Sequence, residues 1–394
     1  TLAAFTKKND LLIFGITLSI IALSIVGIFK LEVENSFINY FDKETEIYKG
    51  MKKIDDKLGG TTPLNVILNF PVKQKNTQED DEFDEWDEEN EANEDKAKYW
   101  FTRDKMDKII KVHDYLETLP EIGKVLSFGS ILRVAEDLNK KELQSLEIAV
   151  LYSKIPEEIK KEIVSPYISV EKDQARISLR IKDSLKDLRR DDLINKINSD
   201  LNLKLGLDKN EYKLAGVLIL FNNLLQSLFK SQILTLGIVL LGIFLMFLVL
   251  FRNIIISFIG IVPNFIAAFF ILGIIGLLEI PLDMMTITIA AITIGIAVDN
   301  SIHYIYRFKE EFKKNNNYID TLDRCHNTVG IAILNTSITI VFGFSILVLS
   351  NFIPTIYFGV FTGIAMMLAM ISVLTLLPKL ILFLKPFDKK KNNF

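Results

Sequence analysis

Six long apolar segments constrain the fold of this chain more than any other feature of its sequence. Each approaches the ~20 residues that a helix needs to cross the hydrocarbon core of a bilayer. The first stands alone, and the other five follow one another closely. They span residues 11–29, 233–251, 254–278, 284–305, 331–349 and 356–384. The sequence therefore predicts a polytopic α-helical membrane protein with one helix before, and five helices after, a long polar region.

The polar region between the first two apolar segments holds about 200 residues, enough for one or two folded domains. Between Glu79 and Asp95 there are 12 acidic residues and no basic ones. So much charge with few apolar side chains predicts a solvated loop at residues 76–98; a docking patch for a basic partner and a calcium site are the alternatives. The predicted parts are residues 1–30 with the first membrane helix, residues 31–230 as the soluble domain, and residues 231–394 as a five-helix bundle.

Basic residues in the short connections predict the orientation of the chain. The connections on one side, residues 279–283 and 351–354, carry no Lys or Arg. Those on the other side carry Lys7, Lys8, Arg252, Arg307, Lys309, Lys313, Lys314, Arg324, Lys385 and Lys389 to Lys391. Because positive charge stays inside, the N-terminus is predicted to be cytoplasmic and the soluble domain to lie outside. Residues 307–329 predict an inner amphipathic segment on the membrane surface.

The soluble region alternates short apolar strands with amphipathic helices. The predicted elements are a strand at 64–70, a helix at 103–119, strands at 167–170 and 175–181, a helix at 185–205 and a strand at 212–217. This order of elements is that of the ferredoxin-like α+β fold, with residues 130–163 as an insertion. Residues 218–230 are predicted to continue as a helix, without a break, into the second membrane helix.

The fourth apolar segment carries two ionisable residues. Asp299 and His303 are four residues apart, about one helical turn, and therefore share one face of the helix. Ionisable side chains in hydrocarbon are costly and are usually retained to move protons, ions or substrate. The fifth segment carries Asn335, Thr336 and Thr339, and counting along the two helices puts Thr339 level with Asp299 and Asn335 level with His303. These residues predict a proton relay.

Other roles are open for the same residues. The alternative for Asp299 is a hydrogen bond between helices, and for His303 a contact with phosphate headgroups. For the fifth segment it is ordinary hydrogen bonding between membrane helices. Gly295, one turn before Asp299, and Gly343 are predicted to let a neighbouring helix come close.

Motifs for nucleotide, metal and nucleophile chemistry are absent from the sequence. There is no phosphate-binding loop, no Cys/His cluster and no serine-histidine-acid arrangement. We therefore predict no enzyme activity, no metal and no nucleic-acid partner. His113 and His326 are predicted to be surface residues. The single cysteine, Cys325, excludes a disulfide within the chain.

One apolar helix, a large outer domain and five further helices, with a Gly295-x-x-x-Asp299 motif in the fourth, resemble one half of an RND-superfamily transporter. Residues 292–311, and the stretch from 336–344 through 351–359, are similar to its MMPL and hopanoid-exporter-like branch. The resemblance makes Asp299 the protonatable residue and Gly295 the motif glycine. Members often carry a second acid or a tyrosine where this chain has Asn300, so here Asp299 has no adjacent carboxylate and His303 is expected to compensate. The predicted relay thus comprises Asp299, Asn300, His303, Asn335, Thr336 and Thr339.

The resemblance also implies an activity. It implies proton-driven export of a hydrophobic or lipidic substrate from the bacterial inner membrane through a periplasmic porter domain, with the proton motive force in place of a cofactor. Such transporters commonly have twelve membrane helices in two halves, so six imply the C-terminal half of a longer protein or a homo-oligomer. Periplasmic carrier proteins are further expected partners. The rival functions are a membrane lipid sensor like a sterol-sensing domain and a SecDF-like aid to protein secretion.

Overall fold

The computed structural model describes residues 2–34, 36–70, 100–185 and 188–388. The chain divides into two compact units. A helical unit comprises Thr1–Asn35, Tyr40–Asp42 and Leu224–Phe394, and an α+β unit comprises Ser36–Asn39 and Lys43–Asn223. The predicted acidic loop at residues 76–98 lies outside the described residues.

The described helices and strands follow one another in this order along the chain: α1 (Leu2–Lys8), α2 (Asp10–Ile28), α3 (Glu46–Leu58), β1 (Thr62–Asn69), α4 (Arg103–Glu117), β2 (Ile122–Leu126), α5 (Phe128–Asn139), α6 (Ser145–Lys154), α7 (Glu157–Ile163), β3 (Ile168–Ser169), β4 (Gln174–Ile181), α8 (Arg190–Leu203), β5 (Tyr212–Ala215), α9 (Val217–Phe251), α10 (Ile254–Leu277), α11 (Ile289–Asn315), α12 (Tyr318–Cys325), α13 (Ile331–Ser345) and α14 (Ile353–Leu384). A π-helical turn, His326–Gly330, joins α12 to α13.

Six helical segments among the described residues are long and apolar enough to cross a membrane. They are Asp10–Ile28, Val217–Phe251, Ile254–Leu277, Thr286–Asn315, Tyr318–Leu349 and Ile353–Leu384. Each of the six predicted apolar segments overlaps one of them, which is the pattern of a polytopic membrane protein. Helix α9 is unbroken from Val217 to Phe251, as predicted from the helical character of residues 218–230.

Helices α10 and α14 form the centre of the helical unit, and more than half of the residues in their most apolar stretch are buried. In helix α9 and the α12–α13 segment few residues of the corresponding stretch are buried. Helices α2 and α10 meet backbone to backbone. A Cβ on Gly27 would lie 1.9 Å from the carbonyl oxygen of Gly273, and one on Gly276 would lie 1.9 Å from that of Gly27. Only glycine permits this approach, which is typical of membrane helix pairs.

The inner connection folds back onto the helical unit. Helix α11 continues to Asn315, and α12 follows after a short turn. Phe308, Phe312 and Leu322 are buried in one cluster with Leu377 of α14. These apolar side chains therefore pack against protein, whereas the sequence predicts that they face the membrane surface.

The α+β unit contains one antiparallel sheet. Within the described residues its strands lie in the order β2-β4-β1-β5, with β3 paired to one end of β4. Strands β1 and β4 pair from Thr62 opposite Ile181 to Asn69 opposite Gln174. Alternate side chains of β1 are buried, because the pleat points every second residue to the same side. Helices α4 and α8 contribute buried side chains to the same core.

The strand that flanks β4 is not the predicted one. The sequence assigns this place to residues 167–170, but β3 is only Ile168–Ser169, and β2 (Ile122–Leu126) pairs with most of β4. Strand β2 lacks the apolar alternation of a half-buried strand, since its burial is confined to Ile122 and Val125. A register shift interrupts it between Ile122 and Lys124. There Gly123 lies against Gly59, where a Cβ would come within 2.3 Å of a carbonyl oxygen.

Two buried carboxylates fix the start of the α+β unit. Asp183 accepts a hydrogen bond from the Ile38 amide at 3.2 Å and pairs with the Arg190 guanidinium. Asp55 accepts from the amides of Asp183 and Ser184 at 2.8 and 2.9 Å. Burial raises the pKa of Asp55, but its hydrogen bonds outweigh burial and hold that pKa below the usual value. Asp55 is therefore charged at neutral pH, and the contacts of the two carboxylates hold the segment around Ile38 in place.

Candidate functional site

Helix α11 carries most of the predicted site residues. Its start is fixed by Asp283, whose carboxylate accepts hydrogen bonds from the amides of Met285 and Thr286 at 2.8 and 2.7 Å. Its end is fixed by Asn316, which adopts the left-handed conformation at φ 49° and donates its amide to Phe312. Between these ends the helix is continuous, so residues three and four apart lie on common faces.

One face of α11 presents the ionisable pair. The carboxylate of Asp299 lies 3.5 Å from Nε2 of His303, as the four-residue spacing predicts. Both side chains are exposed within this chain, Asp299 to 71% and His303 to 64%. Gly295 lies one turn away on the same face, and a Cβ there would meet nothing within 4 Å. This face of a membrane helix therefore carries two titratable groups beside a surface that no other part of the chain covers at Gly295.

The opposite face of α11 is buried and carries neutral polar side chains. The Asn300 side-chain amide donates to the hydroxyl of Ser337 on α13 at 3.3 Å, and both residues are buried. The Asn264 amide on α10 donates to the hydroxyl of Ser301 at 3.2 Å. These bonds tie α11 to its two neighbours. Asn300 thus joins two helices, as the alternative of hydrogen bonding between membrane helices predicts for the fifth segment. Asn264 and Ser301 are polar contacts that were not predicted from the sequence.

The predicted relay residues of α13 do not contact the ionisable pair. The hydroxyl of Thr336 donates to the carbonyl of Ala332 at 2.8 Å, and that of Thr339 donates to the carbonyl of Asn335 at 2.9 Å. Asn335, Thr336 and Thr339 are all exposed. Depth along the helix was predicted from residue counting, but the direction of each side chain around the helix was not. Ser337, on another face, makes the bond to α11.

The predicted packing glycines face open space within this chain. A Cβ on Gly343 would meet nothing within 4 Å, as for Gly295. The close helix contact is made instead by Gly27 with Gly273 and Gly276. The role of Gly295 and Gly343 therefore stays a prediction for a partner outside this chain.

The predicted surface positions of His113 and His326 are wrong. His113 is buried, and its Nδ1 lies 2.9 Å from the hydroxyl of Ser127. His326 is buried in the helical unit and contacts Tyr304 and two backbone carbonyls. Burial of a single histidine depends on contacts that are distant in sequence, so helical spacing alone does not reveal it.

Three side chains of the α+β unit come within metal-binding distance of one another. They belong to His113, Asp114 and Glu117. Arg133 pairs with Asp114 and lies 3.9 Å from Glu117, so one guanidinium already offsets part of the negative charge of the two carboxylates. Burial also lowers the pKa of His113, and its neutral ring is bonded to Ser127. Within this chain the two carboxylates are thus engaged by Arg133.

Fold and site together define a class: a multi-pass membrane protein with an α+β unit between its first two membrane helices and an ionisable pair inside a later one. Residues 86–393 match the model of the MMPL family. The chain therefore belongs to the MMPL family, and it is a membrane transporter of the RND type, as the resemblance predicted. Over 380 residues it is 24% identical to a protein of Methanocaldococcus jannaschii named as a membrane protein, with 96% of this chain and 92% of that protein covered.

Proposed function

We propose that this chain is a proton-driven secondary transporter that exports a hydrophobic or lipidic substrate from the cytoplasmic membrane. The observation that carries the proposal is the contact between Asp299 and His303 on one face of α11. An imidazole nitrogen and a carboxylate oxygen both bind protons, and here the two atoms lie 3.5 Å apart. Ionisable groups inside membrane helices are functional in most cases, because placing them there is costly.

The exposure of Asp299 and His303 supports the proposal that a second protein subunit covers them in the membrane. A charged side chain at the centre of a membrane helix costs at least ~2.5–3.5 kcal/mol when it faces lipid. Asp299 and His303 are both more than half exposed within this chain, so protein from outside the chain is needed to cover them. We propose that the partner is a second copy. The relative from Methanocaldococcus jannaschii is itself matched over 92% of its length by this one chain.

A cysteine at Gly295 is expected to cross-link two copies. A side chain at this position meets no neighbour within the chain, and the native Cys325 is buried and unreactive as a background. Oxidation of Gly295→Cys in lipid vesicles should give a covalent dimer on a denaturing gel. The matched control is Leu18→Cys, an exposed position on α2. Equal cross-linking of both variants, or a Gly295→Cys protein that stays monomeric at all protein-to-lipid ratios, would contradict the proposed interface.

The α+β unit is the proposed porter domain. Its strand order β2-β4-β1-β5, with α4 after the first strand and α8 before the last, supports a ferredoxin-like assignment. Its outer location is inferred from the positive charge of the opposite connections. In this position the unit receives substrate leaving the membrane and passes it to a carrier outside.

Proton flux in reconstituted vesicles tests this function. The purified chain is placed in liposomes that hold a pH-sensitive dye, and an inward pH gradient is imposed. We expect the liposome interior to acidify faster than in liposomes without protein. Acidification should be faster still when a lipid extract that carries a hydrophobic dye is added as a substrate. An uncoupler should remove the difference. A lipid sensor would give no flux above that of empty liposomes, and a secretion aid would respond to an unfolded protein substrate but not to lipid.

A further inference from the structure

A second titratable group lies at the inner end of the helical unit, away from Asp299. It is His326, the first residue of the π-helical turn between α12 and α13. The side chain is only 8% exposed. Its Nε2 lies 2.9 Å from the carbonyl oxygen of Leu374 on α14. Its Nδ1 lies 3.1 Å from the carbonyl oxygen of Leu322 and 3.1 Å from the hydroxyl of Tyr304 on α11.

The partners of this ring fit two protonation states. A carbonyl oxygen only accepts, so the contact with Leu374 requires a hydrogen on Nε2. In the neutral ring Nδ1 then has no hydrogen and accepts from the hydroxyl of Tyr304. In the imidazolium both nitrogens carry hydrogens, and Nδ1 donates to the carbonyl of Leu322. The neutral ring and the imidazolium can therefore both be hydrogen-bonded without a movement of the side chain. They differ in whether the Tyr304 hydroxyl donates to Nδ1 of His326.

The hydrogen bond that changes joins His326 to Tyr304 of α11, the helix that also carries Asp299 and His303. Tyr304 is fully buried and follows His303 directly in α11, about 100° around the helix from it and on the buried side. Asn327 and Thr328, next to His326, are exposed. By the charge of the connections this is the cytoplasmic end. Isolated π-helical turns are rare and are often found at functional sites.

The charged groups on the surrounding elements have other partners. Among the described residues, Tyr304 is the titratable side chain hydrogen-bonded to His326, and Cys325 beside it is a buried thiol. No carboxylate therefore fixes the charge of the ring within the described part of the chain. The pairs are Glu311 of α11 with Arg307, Lys314 and Arg324; Asp323 of α12 with Lys7; and Lys379 of α14 with Asp10.

We propose that His326 is a proton-binding switch at the inner end of α11. Binding a proton turns Nδ1 from acceptor to donor, so the Tyr304 hydroxyl loses its acceptor and α11 loses one tie to the α12–α13 turn. Loss of the proton restores the tie. The importance of this switch for transport rests on the proposed function, but proton binding by His326 does not.

Nitrogen NMR of the full chain in lipid nanodiscs tests the switch directly. The chain has three histidines, so ring-labelled histidine gives three sets of signals, and His326 is assigned by its loss in His326→Gln. If that variant does not fold, His113→Gln and His303→Gln assign it by elimination. We expect the His326 ring to pass from a single hydrogen on Nε2 to two ring hydrogens as the pH is lowered.

Tyr304→Phe distinguishes a switch from a buried structural ring. This variant removes the donor that favours the neutral ring, so a larger fraction of imidazolium is expected at every pH within the titration. Tyr306→Phe, an exposed tyrosine on the same helix, is the matched control and should leave the titration unchanged. A His326 ring that keeps one protonation state throughout, or one whose titration ignores Tyr304→Phe, overturns the proposal. Neither result depends on vesicle flux, so the switch and the transport proposal fail separately.

Discussion

Asp299→Asn is expected to reduce proton-coupled flux to the level of liposomes without protein. Asparagine keeps the shape of the side chain but cannot take up or release a proton. A proton crossing at 100 mV supplies about 2.3 kcal/mol, which biases a two-state equilibrium roughly 50-fold. Without a titratable group at this position none of that bias reaches the protein. The variant should still insert and fold, because Asp299 is exposed and its described contact is the one to His303.

Two controls separate coupling from charge loss in general. Asp320→Asn removes an exposed carboxylate at the start of α12 and should keep wild-type flux. His303→Gln removes the partner at 3.5 Å and should shift the pH profile of flux while leaving flux measurable. Full flux in Asp299→Asn, measured with the pH-sensitive dye at matched protein content, would exclude Asp299 from the proton path.

The membrane helices could be predicted from sequence because their signal is local. An apolar run of about 20 residues needs no partner to be recognised, and all six predicted segments overlap observed helices. Strand β2 could not be predicted in the same way. Its pairing with β4 depends on residues distant in sequence, and Ile122 and Val125 alone give no alternating pattern.

The site shows the same limit at the level of side chains. The contact between Asp299 and His303 follows from spacing within one helix, and it was predicted. The bond between Asn300 and Ser337 depends on how α11 and α13 are rotated against each other, and counting residues gives depth but not rotation. The environment of His326 depends on three further elements, and no local pattern indicates it.

Gly27→Leu and Gly273→Leu are each expected to disrupt the helical unit. A Cβ on Gly27 would lie 1.9 Å from a carbonyl oxygen of α10, and one on Gly273 would lie 2.4 Å from Cα of Ser24. Carbon atoms in contact need about 3.5–4.0 Å, and the opposing atoms are backbone, so no change of rotamer relieves the clash. Overpacking typically costs about 1–3 kcal/mol even where side chains can move. Membrane helices associate mainly through close packing, because lipid provides no hydrophobic driving force between them. Loss of the packing is therefore not offset by hydrophobic burial.

The measurement is the temperature at which the purified protein in detergent loses its monodisperse peak on size exclusion. Gly27→Leu and Gly273→Leu should lose it well below the wild-type temperature, or yield no monodisperse protein. Gly15→Leu is the matched control, because Gly15 lies on the same helix as Gly27 and a Cβ there meets nothing within 4 Å. If all three variants lose the peak at the same temperature, the loss is a general effect of adding a leucine side chain to these helices, and not of the contact between α2 and α10. If Gly27→Leu keeps the wild-type temperature, the backbone contact between α2 and α10 does not hold the unit together.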